Sequence, residues 1–300
     1  MNVPPARSAS EITNALSIDV EDYFQVSALA SHFPRSRWDE QECRVEANVD
    51  RILAMLHEYG AKATFFTLGW VAERYPKLVR LIVMEGHELA SHGYQHERAS
   101  DQTPQMFGAD VALAKAVLED IAGVEVRGYR APSFSIGARN LWAHEVLSEN
   151  GYLYSSSIYP IAHDHYGMPD APRFPYRSTA DGLVEIPIST VQAGGRNVPI
   201  GGGGYFRLLP YAVSRYAIAR FQRVERRPAI FYMHPWEIDP GQPRIGGASR
   251  VARFRHYLNL AAMPGRLDRL LHDFSWDRMD AVFADLIAAP APAPVAEAAV

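Results

Sequence analysis

Glu88-Leu-Ala-Ser-His92-Gly-Tyr-Gln-His96 sets a short strand-like run directly before two histidines four residues apart. The same order recurs at three other places. The run at 15–19 leads into Asp19-Val-Glu-Asp22, the run at 126–129 into Arg130-Ala-Pro132, and the run at 229–233 into His234-Pro-Trp236. Further strand-like runs lie at 63–68, 153–157 and 183–188. Segments with apolar residues at helical spacing separate most of them, such as Ile52, Leu53, Met55, Leu56 and Tyr59, or Phe107, Val111, Ala114 and Leu118. Helical patterns follow at 141–147 and 211–221. Repeated strand–helix alternation predicts a parallel sheet, and this many units in one domain predict closure into an α/β barrel. Such barrels carry their chemistry at the C-terminal ends of the strands. Asp19, His92, Arg130 and His234 all fall there.

The composition sets bounds. With 300 residues, 48% of them hydrophobic, the chain can bury a sizeable core, and one barrel uses nearly all of it. A formal net charge of −4 gives no electrostatic reason for a nucleic-acid partner. Cys43 is the only cysteine, which excludes an internal disulfide and a thiolate-rich metal site; a transition metal would need His and carboxylate ligands. The first residues lack the apolar core of a secretory signal, and no uninterrupted apolar run is long enough to span a bilayer, so a cytoplasmic enzyme is expected. The Ala/Pro-rich stretch 288–300 is expected to be disordered and 1–12 flexible. That leaves 13–287 as one catalytic domain, with a C-terminal extension from about 235.

Each polar cluster has a structural reading when taken alone. The histidine pair could be structural, the acidic cluster a helix cap, Arg130 a surface salt bridge and His234 a satisfied core histidine. Their conjunction points instead to metal-assisted hydrolysis. A helical turn would bring His92 and His96 to one divalent ion. Along a strand, Asp19 and Glu21 face the same way, while Asp22 joins them only if the strand has ended. One carboxylate would bind metal and another act as base, with Arg130 gripping the base bidentately. His234 would protonate a leaving amine. Pro132 would fix nearby amides, and the Pro- and Gly-rich region 156–206 reads as long loops around a site mouth, with Tyr205 and Phe206 ready to stack on a sugar. His87 reads as a loop or second-layer residue.

Taken jointly, these residues resemble the polysaccharide deacetylase superfamily, the carbohydrate esterase group related to chitooligosaccharide and peptidoglycan deacetylases, over about 13–240. Carrying the resemblance are Asp19 with a following acid, Ala63-Thr-Phe-Phe66, Gly86-His-Glu-Leu-Ala-Ser-His92-Gly-Tyr-Gln-His96, Arg130-Ala-Pro132 and the late His234. Ser17-Ile-Asp-Val-Glu-Asp-Tyr-Phe24, Gly201-Gly-Gly-Gly-Tyr-Phe206 and Phe231-Tyr-Met-His-Pro-Trp-Glu237 are similar to the bacterial subgroup associated with exosortase-linked exopolysaccharide loci. The resemblance implies a distorted (β/α)7 TIM-like barrel and removal of N-acetyl groups from a glycan or its lipid-linked precursor, with exopolysaccharide biosynthesis machinery as a partner. It further implies a divalent metal, zinc by default with cobalt, nickel or iron as substitutes. The ligands would be His92, His96 and either Glu21 or Asp22, with Asp19 as base, Arg130 as its partner and His234 as acid. Pro132, Tyr205, Phe206 and Trp236 would bind substrate. Relatives carry an aspartate orienting the acid histidine where this chain has Ser155. Two other readings are hydrolysis of a small cyclic amide, as in allantoinase-like relatives, and a non-catalytic carbohydrate-binding barrel.

Overall fold

In the computed structural model, which describes residues 12–164 and 166–289, all seven strand-like runs form strands of one sheet. These are β1 (Asn14–Val20), β2 (Thr64–Thr67), β3 (Glu88–Ser91), β4 (Gly128–Tyr129), β5 (Tyr154–Ser155), β7 (Val184–Glu185) and β10 (Ile230–Met233). They pair in the order β10-β1-β2-β3-β4-β5-β7, every ladder parallel. A short antiparallel strand, β6 (Tyr176–Arg177), extends the β7 edge, and β11 (Trp276–Asp277) pairs with the start of β1. The sheet curls into a distorted (β/α)7 TIM-like barrel, and among the described residues no ladder joins β7 to β10. That gap is spanned by single contacts: Ile230 N–H donates to Ser189 Oγ, and Gly202 bridges Tyr232.

β1 shows why the site forms. All seven of its residues are buried, as a strand covered on both faces requires. Leu16, Ile18 and Val20 pack outward with Ile52, Leu53, Leu56 and Val49 of the helix Val45–Glu58. The alternate residues Ala15, Ser17 and Asp19 point to the barrel interior, where Ala15 joins Phe66, Ala90, Ile186 and Tyr232. Just past the strand, a tight turn in which Glu21 N–H donates to Asp19 O at 2.9 Å leaves Glu21 lining the cleft.

The region 156–206 is more ordered than a set of loops. It contains a hairpin, β8 (Thr190–Ala193) with β9 (Arg196–Pro199), and its glycine run leads into the helix Gly203–Leu208. Residues 1–11 and 290–300, the expected flexible ends, lie outside the described residues; Ala288 closes the short helix Ala284–Ala288. No helix among the described residues is long and apolar enough to cross a membrane.

Candidate active site

Three strand ends, those of β1, β3 and β10, deliver functional groups into one cleft of about 590 Å³, lined by Asp19, Glu21, His92, His96, His234 and Trp236 among others, and Arg130, after β4, lies buried behind Asp19. Glu21, His92 and His96 are all buried, and one ligand atom from each lies within 4.8 Å of the others. His92 Nδ1 sits 2.8 Å from the carbonyl of Arg130; a carbonyl only accepts, so Nδ1 carries the proton and Nε2 is left with a free lone pair. Glu21 Oε2 is buried, lies 2.7 Å from His96 Nε2 and yet has no hydrogen bond of proper geometry. An orphaned carboxylate oxygen beside two imidazoles suits a divalent cation with mixed N/O ligands. Burial alone would raise the Glu21 carboxyl, but His96 and His234 outweigh it and hold it at about 2. Burial lowers His92 to about 4, keeping the ring neutral as a ligand must be.

The histidine pair does not meet across a helical turn. Residues 92–98 form an irregular loop, with His96 in the left-handed region at φ 53°. Gly93 permits the turn: its φ is 76°, and a Cβ there would lie 2.8 Å from the Asp110 carboxylate that accepts from Tyr94 N–H. Ser133 and Phe134, at φ 55° and 48°, also line the cleft. Strained backbone thus gathers at its walls.

Asp22 faces away from the cluster. Its carboxylate accepts from the backbone N–H groups of Tyr23, Arg44 and Val45 at 2.8, 2.5 and 2.9 Å, capping the start of the helix Val45–Glu58. Glu21 is therefore the acid that joins the two histidines.

Asp19 and Arg130 form a buried pair. Arg130 is wholly buried and donates through Nη1 to Asp19 Oδ1 at 2.6 Å and to Ser17 Oγ at 2.8 Å. Its Nε donates to Ser156 O and its Nη2 to Ser156 Oγ and Met279 Sδ, and its guanidinium lies 4.1 Å above the Phe66 ring. The grip on Asp19 is single, not the expected bidentate fork, because half of the guanidinium is spent on Ser156.

Across the cleft, His234 points Nε2 toward Asp19 Oδ2 and Glu21 Oε1, 3.9 and 3.7 Å away. Its Nδ1 is 2.8 Å from Glu237 Oε1, and Arg207 Nε donates to Glu237 Oε2 at 2.7 Å. Glu237, not position 155, contacts the His234 ring; the Ser155 hydroxyl donates to Ser157 Oγ. Sequence reasoning missed both Glu237 and Arg207. The signal was the His-Pro-Trp-Glu spacing: a 3-10 turn over Pro235–Ile238 folds Glu237 back onto the ring three residues earlier. Burial works to lower His234, but Glu21 and Glu237 overcome it and push the imidazole up to about 9. Burial would raise Glu237, and Arg207 with His234 instead holds it at about 2. Gly203 makes room for this acid, since a Cβ there would overlap the Glu237 carboxylate.

The expected substrate residues divide. Tyr205 lines the cleft half-buried. Phe206 does not; it is 2% exposed and packs edge-on against Phe231 in the core. Adjacent residues of a helix point about 100° apart, so only one of the two can face the mouth. Trp236 lines the cleft, donates Nε1 to Glu21 Oε1 at 3.2 Å and stacks between His234 and His256. Pro132 is buried at the start of the turn that carries Ser133.

Residues 37–154 match the family model described as polysaccharide deacetylase, and residues 156–284 match a domain of unknown function, DUF3473. Among curated proteins, the chain is 28% identical over 113 residues to a peptidoglycan deacetylase of Helicobacter pylori, covering 38% of each chain. It is 32% identical over 98 residues to a chitooligosaccharide deacetylase of Azorhizobium caulinodans, covering 32% of this chain and 44% of that one. The chain thus spans under half the length of these relatives. Over nearly its whole length it shares its fold with a crystal structure from Mycobacterium smegmatis provisionally described as a polysaccharide deacetylase: 98% and 99% of the two chains align at a TM-score of 0.57 and 21% identity.

Proposed function

We propose that the chain, whose residues 37–154 match the polysaccharide deacetylase family model, is a metal-dependent deacetylase that removes N-acetyl groups from a glycan. The observation that carries this reading is the Glu21–His92–His96 cluster flanked by Asp19 on one side and His234 on the other. A divalent ion held by those three residues, zinc by preference, would supply Lewis acidity and an acidified water. Asp19, held in direction by Arg130, takes the proton of the attacking water. His234, charged near neutral pH and aimed into the cleft through Nε2, gives a proton to the departing nitrogen, and Glu237 keeps its Nδ1 protonated throughout. Tyr205 and Trp236 offer faces for sugar rings. A cleft of about 590 Å³ with an aromatic rim favours a sugar chain over a small cyclic amide. The finer reading is an exopolysaccharide or its lipid-linked precursor as substrate, with release of acetate.

The test is acetate release from N-acetylhexosamine oligomers by protein stripped of metal and then reloaded with zinc. Release that returns with zinc and is absent in His96→Ala supports the reading. Release that persists in His96→Ala, or hydrolysis of allantoin and of no oligomer, would sink it.

A further inference from the structure

Between Asp239 and Asp268 the chain carries five arginines and no acidic residue, in a protein whose net charge is −4. The cationic stretch includes the helix Arg250–Tyr257, which borders the cleft: Phe254, Arg255 and Leu258 line its mouth, and His256 stacks on Trp236 with ring centroids 4.4 Å apart. On the other side of Phe254 lies a second, shallower groove of about 360 Å³, lined by Arg244, Arg250, Arg253, Phe254 and Tyr257. The groove is built by its own contacts. Tyr257 Oη donates to Pro243 O at 2.8 Å and accepts from Ile245 N–H at 2.9 Å, which sets Arg244 over the Tyr257 ring at 4.3 Å. Ser249 caps the helix through Ala252 N–H.

The charges in this groove are uncompensated. Arg255, on the cleft side, is paired with Asp164 at 3.0 Å. Among the described residues, Arg244, Arg250 and Arg253 have no carboxylate within ion-pair distance, and all three are exposed. Three like charges converging on one concavity repel one another unless an anion joins them. Guanidinium forks suit carboxylate and phosphate oxygens, and Phe254, 57% exposed, offers an apolar ridge shared by cleft and groove.

We infer that the Arg244–Arg250–Arg253 groove is a binding subsite for an anionic group, carboxylate or phosphate, on the glycan whose N-acetyl sugar occupies the cleft. This rests on the deacetylase reading for the identity of the cleft's occupant and narrows the substrate class to acidic glycans. A sugar chain leaving the cleft crosses Phe254 and meets the arginines, so neutral and acidic glycans share the catalytic pocket and differ at the groove. A concave site between two aromatic rings favours a glycan over a flat anionic membrane.

The experiment is calorimetric binding of hyaluronan hexasaccharide, which alternates N-acetylglucosamine with glucuronate, against the neutral hexamer of N-acetylglucosamine, using the full chain and an Arg244→Gln/Arg250→Gln/Arg253→Gln variant. N-acetylglucosamine 1-phosphate serves as the phosphate arm. The acidic hexasaccharide, the phosphate sugar or both are expected to bind at least about tenfold more tightly than the neutral oligomer, with the gap closing in 0.5 M salt and in the triple variant. Which arm shows the preference tells carboxylate from phosphate. An unchanged thermal midpoint shows that the variant is folded, and if it is not, the three single substitutions replace it. Equal affinities for all three probes, or a preference that survives the substitutions, overturns the inference. So does a triple variant that loses only its binding to phosphatidylserine vesicles, which would make the groove a membrane contact. Failure of the deacetylase reading looks different: no acetate would be released from any oligomer, while the arginine-dependent preference remained.

Discussion

The two walls of the cleft hold Asp19 and His234, the proposed base and acid, in opposite ways. On one wall Asp19 sits within β1 and is held by Arg130, which follows β4, so a regular ladder fixes both. On the other, His234 follows β10 but is held by Glu237 from an irregular turn and by Arg207 from a six-residue helix. Arg207 in turn donates to the carbonyls of Arg255, His256 and Leu258, tying this wall to the rim helix. The first wall falls largely within or just before the part that matches the polysaccharide deacetylase model, the second within the part matched by a domain of unknown function. A strand-end anchor needs only a few residues; a loop anchor needs its own chain of buried ion pairs. The two ends of the reaction are thereby separable by mutation.

The sharpest break comes from the strand-end wall. Asp19→Asn keeps the shape and hydrogen-bonding reach of the side chain but removes its capacity to take a proton, and turnover is expected to fall by roughly 10²–10⁴ while zinc still binds. Measured zinc stoichiometry decides the outcome. Zinc lost along with activity would make Asp19 a ligand and dissolve the division between base and metal site.

On the opposite wall, Glu237→Gln removes the carboxylate that holds Nδ1–H and raises the imidazole. A loss of about 10- to 100-fold in kcat is expected, with KM little changed. The sign of the pH effect follows from the same contact. Glu237 helps keep His234 charged up to about pH 9, so losing it lowers that value, and the alkaline limb of the rate profile moves to lower pH. An unmoved limb would mean that His234 is not the acid or that Glu237 does not tune it. Gly203→Ala acts one step further out. The new Cβ overlaps the Glu237 carboxylate, so the variant should show a weaker form of the same shift, about tenfold in kcat, with overpacking costing roughly 1–3 kcal/mol in denaturant unfolding. If Gly203→Ala lowered stability but left the alkaline limb in place, the glycine would serve packing alone.

The difference between the walls also explains what could be read in advance. Period-two alternation in β1 is local, so the inward set Ala15, Ser17 and Asp19 follows from spacing, whereas the choice between Glu21 and Asp22 stayed open there, because β1 ends at Val20 and Asp22 is turned away by the backbone N–H groups of Tyr23, Arg44 and Val45. All seven parallel strands were legible as short strand-like runs because both faces of the sheet are covered, and the polar residues they do bury, such as Ser17, Asp19 and Glu88, are hydrogen-bonded inside the barrel. The second wall depends on pairings that spacing does not reveal. Arg207 meets Glu237 across 30 residues, and Tyr205 and Phe206 could be told apart only by knowing that a helix, not a loop, follows the glycines. His96 reaches Glu21 and His92 from a left-handed conformation of its own in a loop, which histidine spacing cannot announce. Glu237 was within reach of the sequence, since a proline-initiated turn returns the fourth residue to the first, whereas the resemblance points to position 155.

The smallest effect separates the fold from both walls. His87, before β3, lies 5.2 Å from the Phe65 ring, and its Nδ1 accepts from Ala63 N–H at 3.2 Å. Burial, with Lys62 and Arg278 adding to it, lowers this imidazole from 6.5 to about 4. A histidine held neutral in the folded state contributes stability above its unfolded value and loses it as the unfolded chain takes up a proton that the folded chain refuses. Between about pH 6.5 and 4, stability should therefore decline by at most about 3 kcal/mol from this group. His87→Gln keeps an acceptor for Ala63 N–H and cannot titrate, so its urea midpoint should fall less steeply over that window than that of the parent, while the alkaline limb set by His234 and Glu237 stays where it is. Parallel midpoint curves for the two proteins would show that acid sensitivity originates in the cleft, where Glu21, His92 and His96 are themselves buried, and would tie the stability of the barrel to the wall that holds them.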